Sequence, residues 1–233
     1  MANGGRRTGD PTGATSARSG PEVLVTRAEL TEDVLTVAPR LLGTVLEADT
    51  ADGPVAARIV EVEAYRAADD PASHSYRGRT PRNAVMFGPA GRLYVYFVYG
   101  MHFCANVSCL PDGEAGAVLL RAGEVVSDLG VARTRRPTAR RDDDLARAPA
   151  RLASLMGLRK EHNGIDVTDA ASPVRLLTGE RVPPGRVMTG PRVGVAAAAD
   201  LSWRFWDGAS CAVSAYRPGR VRDRHAIEPG RAQ

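Results

Sequence analysis

Residues 59–65 read Ile59-Val60-Glu61-Val62-Glu63-Ala64-Tyr65, His74 follows nine positions later, and residues 93–100 read Leu93-Tyr94-Val95-Tyr96-Phe97-Val98-Tyr99-Gly100. Alternation in the first segment predicts a strand with Val60, Val62 and Ala64 on one face and Glu61, Glu63 and Tyr65 on the other. Taken alone, that is an amphipathic strand with a wet polar face. The neighbourhood argues for more. Acidic groups, an imidazole and several tyrosines gather between positions 59 and 99 of a chain with only 5% aromatic residues and 4 histidines. Such a set is suited to stacking a flat ring beside a carboxylate.

Working outward, residues 93–98 and 103–109 carry strong strand signals and are separated by Tyr99-Gly100-Met101-His102. This predicts a hairpin with Tyr99 and Met101 at its tip. A tip is normally wet, so side chains this large either fold back on the core or insert into a partner. Upstream, residues 44–48 and 55–65 read as strands joined by Ala51-Asp52-Gly53-Pro54. Residues 31–42 read as a helix with Thr31 as N-cap, Pro39 as a kink and Gly43 as the stop. The charged, proline- and glycine-containing span 66–90 reads as a long functional loop.

Downstream, residues 115–122 form a buried strand in which Arg121 closes an apolar run, a position that calls for an ionic partner. Residues 127–147 are linker-like, with Arg133, Arg135, Arg136, Arg140 and Arg141 set against Asp142-Asp143-Asp144 for mutual neutralisation. A helix follows from Pro149 with Leu152, Leu155 and Met156 as its stripe and Gly157 as its end. Residues 190–195, 203–206 and 211–215 are the last expected strands. Residues 1–21 read as a disordered tail, 22–216 as one folded domain, and 217–233 as a frayed basic tail.

Composition bounds the chemistry. A chain of 233 residues with 43% hydrophobic and 25% charged residues accommodates one globular domain. The net charge of +4 permits a polyanionic partner without requiring one. Lys160 is the single lysine, so amine nucleophiles are nearly absent. Cys104, Cys109 and Cys211 lack metal or redox spacing, and the histidines supply no ligand motif. No metal and no cofactor are expected. No apolar run has the length of a membrane span, and the N-terminus lacks a signal-peptide core. The expectation is a reduced, cytoplasmic protein.

In joint order and spacing the chain resembles the alkyladenine (3-methyladenine) DNA glycosylase family. The residues that carry the likeness are Val62-Glu63-Ala64-Tyr65, His74-Ser75, Thr80-Pro81-Arg82-Asn83, Leu93-Tyr94-Val95-Tyr96, Tyr99-Gly100-Met101, Asn106, Leu119-Leu120-Arg121-Ala122 and Arg192-Val193-Gly194-Val195. The likeness spans about residues 23–216. It implies a mixed α+β fold: a single domain around a curved antiparallel β-sheet, with a protruding β-hairpin and flanking helices. By the same resemblance Glu63 matches the general base that activates water, and Arg121 and the Val193 carbonyl match groups that hold that water. Tyr65 and His74 match one wall of a base pocket, Tyr96 the opposite wall, and Asn106 the residue that crowds the amine of normal guanine. Tyr99 matches a wedge into the duplex, and Met101, Arg82 and His102 lie where the family meets DNA. The chain departs from the family at His102, where an aromatic is usual, and at Ala148-Pro149-Ala150-Arg151, where the family tends toward a glycine before the proline and a lysine after it.

The implied activity is that of a monomeric, monofunctional DNA glycosylase of base excision repair in the bacterial nucleoid. Its substrate would be double-stranded DNA containing damaged purines such as 3-methyladenine, hypoxanthine or ethenoadenine. The physics of base extrusion agrees with these residue types: a base must leave the stack to be reached, stacking side chains receive it, and a carboxylate with water cleaves the sugar bond. A non-catalytic nucleic-acid-binding module of the same fold is the alternative, and Glu63 separates the two, because a binding module has no use for that carboxylate.

Overall fold

Among the residues described by the computed structural model, 23–67, 69–98 and 100–219, eight strands form one antiparallel sheet. They are β1 (Val45–Thr50), β2 (Gly53–Arg66), β3 (Leu93–Val98), β4 (His102–Cys109), β5 (Gly116–Val125), β6 (Val174–Leu177), β7 (Val187–Gly190) and β8 (Arg204–Asp207). The order is β3-β4-β5-β2-β1-β6, with β8 paired to β2 and β7 to β8. β2, 14 residues long, is the spine. One of its edges carries β5, while the other is divided, β1 pairing with Gly53–Arg58 and β8 with Glu61–Glu63. Splitting one edge between two strands curls the sheet. The result is the expected single mixed α+β domain on a curved antiparallel sheet.

A β-bulge corrects the simple alternation. The β2–β5 register shifts between Ile59 and Glu61 and again between Glu61 and Val62. A bulge inserts a residue and flips the parity of the strand beyond it. Ile59, Val62 and Ala64 therefore all enter the main core, whereas Val60 packs in a separate small cluster with Ala122 and Ala212. Val60 thus does not share a face with Val62 and Ala64, but Glu61 and Glu63 do share one, since both reach Arg121.

The core lies between the inner face of the sheet and α1 (Arg27–Leu30), α2 (Val34–Arg40), α3 (Leu129–Arg135) and α4 (Pro149–Leu155). Leu30, Leu42, Leu46, Ile59, Leu120 and Leu152 are buried there, each such side chain contributing about 1.5–3 kcal/mol. Of the expected helix over 31–42, Val34–Arg40 is helical, and α1 lies wholly before it. Thr31 is the C-cap of α1, and Asp33 caps α2 by accepting the Leu35 amide at 2.9 Å. Asp33 outcompetes Thr31 as N-cap because the chain has already turned out of α1. Gly43 ends the segment as expected: its φ is +89°, and a Cβ there would lie 2.0 Å from the Glu180 carbonyl oxygen.

The linker-like span holds α3, capped by Asp128, whose carboxylate accepts the Val131 amide at 3.0 Å. Two of its arginines pair as read, Arg133 with Asp142 at 3.0 Å and Arg141 with Asp143 at 2.5 Å, whereas Arg135 pairs with Asp52 and Asp144 with Arg147 and Arg151. Of the late strands, β7 ends at Gly190, where one was expected to begin, and residues 211–215 are not a strand. Both displaced segments instead wrap the outer face of β2, and the side chains and amides they bring there build the site.

Candidate active site

Antiparallel register places one row of residues across the sheet: Tyr94 pairs with Asn106, Asn106 with Leu119, Leu119 with Glu63, and Glu63 with Arg204. In the neighbouring row Tyr96 pairs with Cys104. Residues from five strands thus meet in one row across β2. The convergence depends on the bulge, which sets Glu61, Glu63 and Tyr65 on the outer face while the apolar set turns inward.

Glu63 is fully buried, yet its carboxylate is surrounded by donors. Oε1 accepts the Val193 amide at 2.7 Å, Oε2 accepts the Tyr65 hydroxyl at 2.8 Å, and Arg121 Nη1 stands 3.3 Å from Oε2. Three donors and no competing acceptor are what an ionised carboxylate requires. Burial, then the charge and hydrogen bond of Glu63, hold the Tyr65 phenol well above its ordinary pKa, so it remains a neutral donor. Burial works to lower the Arg121 pKa, but Glu63 and Glu61 outweigh it and keep the guanidinium charged.

Glu61 is as buried as Glu63 and binds both Arg121 and Arg204. The Arg192 guanidinium lies over the Tyr65 ring, 4.6 Å from its centroid, with Trp203 5.2 Å away on the guanidinium. It also donates to the Ala64 carbonyl at 3.0 Å and pairs with Asp70. Arg192 thereby fixes the loop that presents Val193, a function that local sequence gives no sign of.

The aromatic residues form a second cluster. Tyr94 and Tyr96 stack with centroids 5.3 Å apart, and His74 meets Tyr96 edge-to-face at 4.6 Å and 78°. The His74 Nδ1 is 3.1 Å from the Tyr94 hydroxyl. Desolvation, with nearby Arg82, pushes the His74 imidazole below its ordinary pKa. Burial pushes the Tyr96 phenol far up, and burial pushes the Cys104 thiol beside it up to about 11. All three side chains are therefore uncharged at neutral pH. Tyr94 is buried with Met86 and Ala117 and backs the cluster.

The other sequence-selected residues fall around this centre. Asn106 is buried and its Nδ2 donates to the Tyr94 carbonyl at 3.4 Å. Arg82 is exposed, makes no ion pair among the described residues, and with Tyr96, Phe97, Phe103 and Lys160 lines a groove of about 480 Å³. Near the hairpin tip Met101 is 67% exposed, and His102 is exposed beside it. Tyr99 lies outside the described residues. Among the described residues no group of three or more His, Cys, Asp or Glu is placed to hold a metal ion, and no helix is long and apolar enough to cross a membrane.

Residues 28–210 match the family described as Methylpurine-DNA glycosylase. A protein of Nocardia farcinica named "Putative 3-methyladenine DNA glycosylase" is 55% identical over 199 residues, covering 83% of this chain and 92% of its own. Proteins of the same name from Streptomyces avermitilis and Burkholderia lata are 50% and 47% identical, over 86% and 85% of this chain and 95% and 92% of theirs. With a buried carboxylate held by Tyr65, Arg121 and Val193 beneath an aromatic cluster, and with this match over most of its length, the chain belongs to the methylpurine-DNA glycosylase family and is a DNA-repair hydrolase acting on DNA.

Proposed function

We propose that the protein extrudes alkylated or deaminated purines from duplex DNA and hydrolyses their N-glycosidic bond with a water activated by Glu63. The observation that carries this reading is the donor set on Glu63. A carboxylate offers about four acceptor positions, and Val193, Tyr65 and Arg121 use three. One remains for a water. As the bond from C1′ to the purine nitrogen breaks, the base leaves with the bonding electrons and the sugar becomes oxocarbenium-like. Water oxygen then bonds to C1′ and its proton passes to Glu63. Arg121 balances the carboxylate before the transfer, and the Val193 carbonyl is the second group assigned to hold the water.

In this reading Tyr65 and His74 form one wall for the base, Tyr96 the other, and Asn106 excludes normal guanine. A purine between two rings needs about 7 Å, a contact distance on each face, whereas His74 and Tyr96 stand at 4.6 Å. Base entry therefore separates these rings. Tyr99 fills the gap left in the duplex, with Met101, His102 and Arg82 on the DNA backbone and grooves. The sole lysine, Lys160, is exposed on the neighbouring groove and, among the described residues, makes no hydrogen bond or ion pair with Glu61 or Glu63, which favours simple hydrolysis over an amine-dependent lyase. Residues 22–216 act as the glycosylase domain of a monomer at the bacterial nucleoid.

The test is incubation with duplexes bearing 3-methyladenine, 7-methylguanine, hypoxanthine or ethenoadenine, scored for strand cleavage after alkali. Cleavage at one or more lesions, and none at undamaged purines, is expected. Binding without cleavage at any lesion overturns the reading in favour of a non-catalytic module.

A further inference from the structure

The cluster beneath Glu63 contains a second carboxylate that the reaction above leaves without a task. Glu61 Oε1 accepts from Arg204 Nε at 2.7 Å, from the Ser214 hydroxyl at 2.8 Å and from Arg121 Nε at 3.0 Å, and Oε2 accepts the Ser214 amide at 2.7 Å. Arg121 is thereby turned. Its Nε faces Glu61 and its Nη2 donates to the Ser214 hydroxyl at 3.2 Å, so that Nη1 alone reaches Glu63, at 3.3 Å. A guanidinium free to choose would offer a carboxylate two parallel bonds of about 2.7–2.9 Å.

We propose that Glu61 is a positioning residue that holds Arg121 off Glu63, so that Glu63 remains basic enough to take a proton from water. The inference rests on, and deepens, the reading of Glu63 as general base. A two-point arginine contact favours the ionised form of a carboxylate and weakens it as a base by about one to three units in comparable pairs. The ionisable groups facing Glu63 are Tyr65 on its own strand, Tyr96 on β3, Cys104 on β4, Arg121 on β5 and Arg192 in the loop after β7. The tyrosines and the cysteine are neutral, and Arg192 is tied to Asp70 at 2.6 Å. Arg121 is the charge that forms an ion pair with Glu63, and Glu61 sets its approach. Loss of the Glu61 charge acts twice in one direction: it frees Arg121 to close on Glu63, and it removes a like charge that favours protonation there.

The experiment compares wild type, Glu61→Gln, Glu61→Asp and Glu63→Gln as full chains. Methylpurine release from dimethyl-sulfate-treated duplex DNA is followed in single turnover from about pH 4 to 9 after subtraction of spontaneous loss. Glu61→Gln is expected to move the acid limb of the profile down by about one pH unit and to lower the plateau, with Glu61→Asp shifted the same way by less. A lowered plateau with the limb at its wild-type position, as a merely structural role would give, overturns the proposal, and so does an unchanged profile. If Glu61→Gln lacks a cooperative melting transition, the limb of Glu61→Asp decides alone, moved in support or unmoved against. Wild-type release by Glu63→Gln sinks the general-base reading itself. An inactive Glu63→Gln beside an unmoved Glu61→Gln limb sinks only the role given to Glu61.

Discussion

Arg192 and Asp70 form a fully buried two-point ion pair, Nη1 to Oδ2 at 2.6 Å and Nη2 to Oδ1 at 2.8 Å, although 122 residues separate them. The pair does not touch the proposed reacting atoms. It secures the backbone one residue before Val193, whose amide sits on Glu63. A charge pair out of water is weak evidence for net stability, but removing one partner strands the other.

Asp70→Asn leaves the Arg192 charge buried without its counter-ion. The expected cost is about 3–5 kcal/mol, read as a lower urea midpoint at an unchanged m-value. A loss below about 1 kcal/mol, the level of an exposed ion pair, would mean that the pair is not the latch described.

Ala148 has φ 93° and ψ 150°, a backbone region that belongs to glycine, while its carbonyl accepts the Arg151 and Leu152 amides that open α4. Such strain costs on the order of 1–3 kcal/mol. Ala148→Gly is expected to raise the melting temperature by about 2–4 °C for each kcal/mol relieved, with base release unaffected. A lower melting temperature would show that the helix start is not strained.

Asp207 is buried and supplies the clearest pH dependence. Burial works to raise its pKa, but bonds from Arg186, the Ala209 amide and Arg58 together outweigh it and hold the carboxyl below the ordinary aspartate value. A depressed folded-state pKa means that the unfolded chain binds the proton more readily. The contribution is therefore complete above the unfolded pKa of about 3.9 and is lost as pH falls through the folded value. Unfolding of wild type and Asp207→Asn is expected to differ most at neutral pH and to converge below about pH 4. A difference that stays constant from about pH 7 to pH 3 would contradict this.

The spine strand, the hairpin and the arginine that ends an apolar run were all legible in the sequence, because each is a local pattern: alternation, a short gap, a charge out of place. The phase change at Val60 was not, since a bulge is decided by which strand pairs where. Glu61 shows the same limit. Its alternation with Glu63 put both on one face, but its partner Arg204 is 143 residues away and its partner Ser214 lies 153 away, in a segment with strand-like composition that folds as coil. The displaced loop at 191–195 misled for a related reason. Arg192 is anchored by Asp70, in the span read only as a long loop, so the pairing had no local signature.

Glu63 is proposed to deprotonate the attacking water. Glu63→Gln keeps the shape and removes the basic oxygen, so single-turnover base release should be lost, by roughly 10²–10⁴-fold as general-base catalysis is worth, while lesion-duplex affinity stays near wild type. Base release by Glu63→Gln at the wild-type rate would contradict the account.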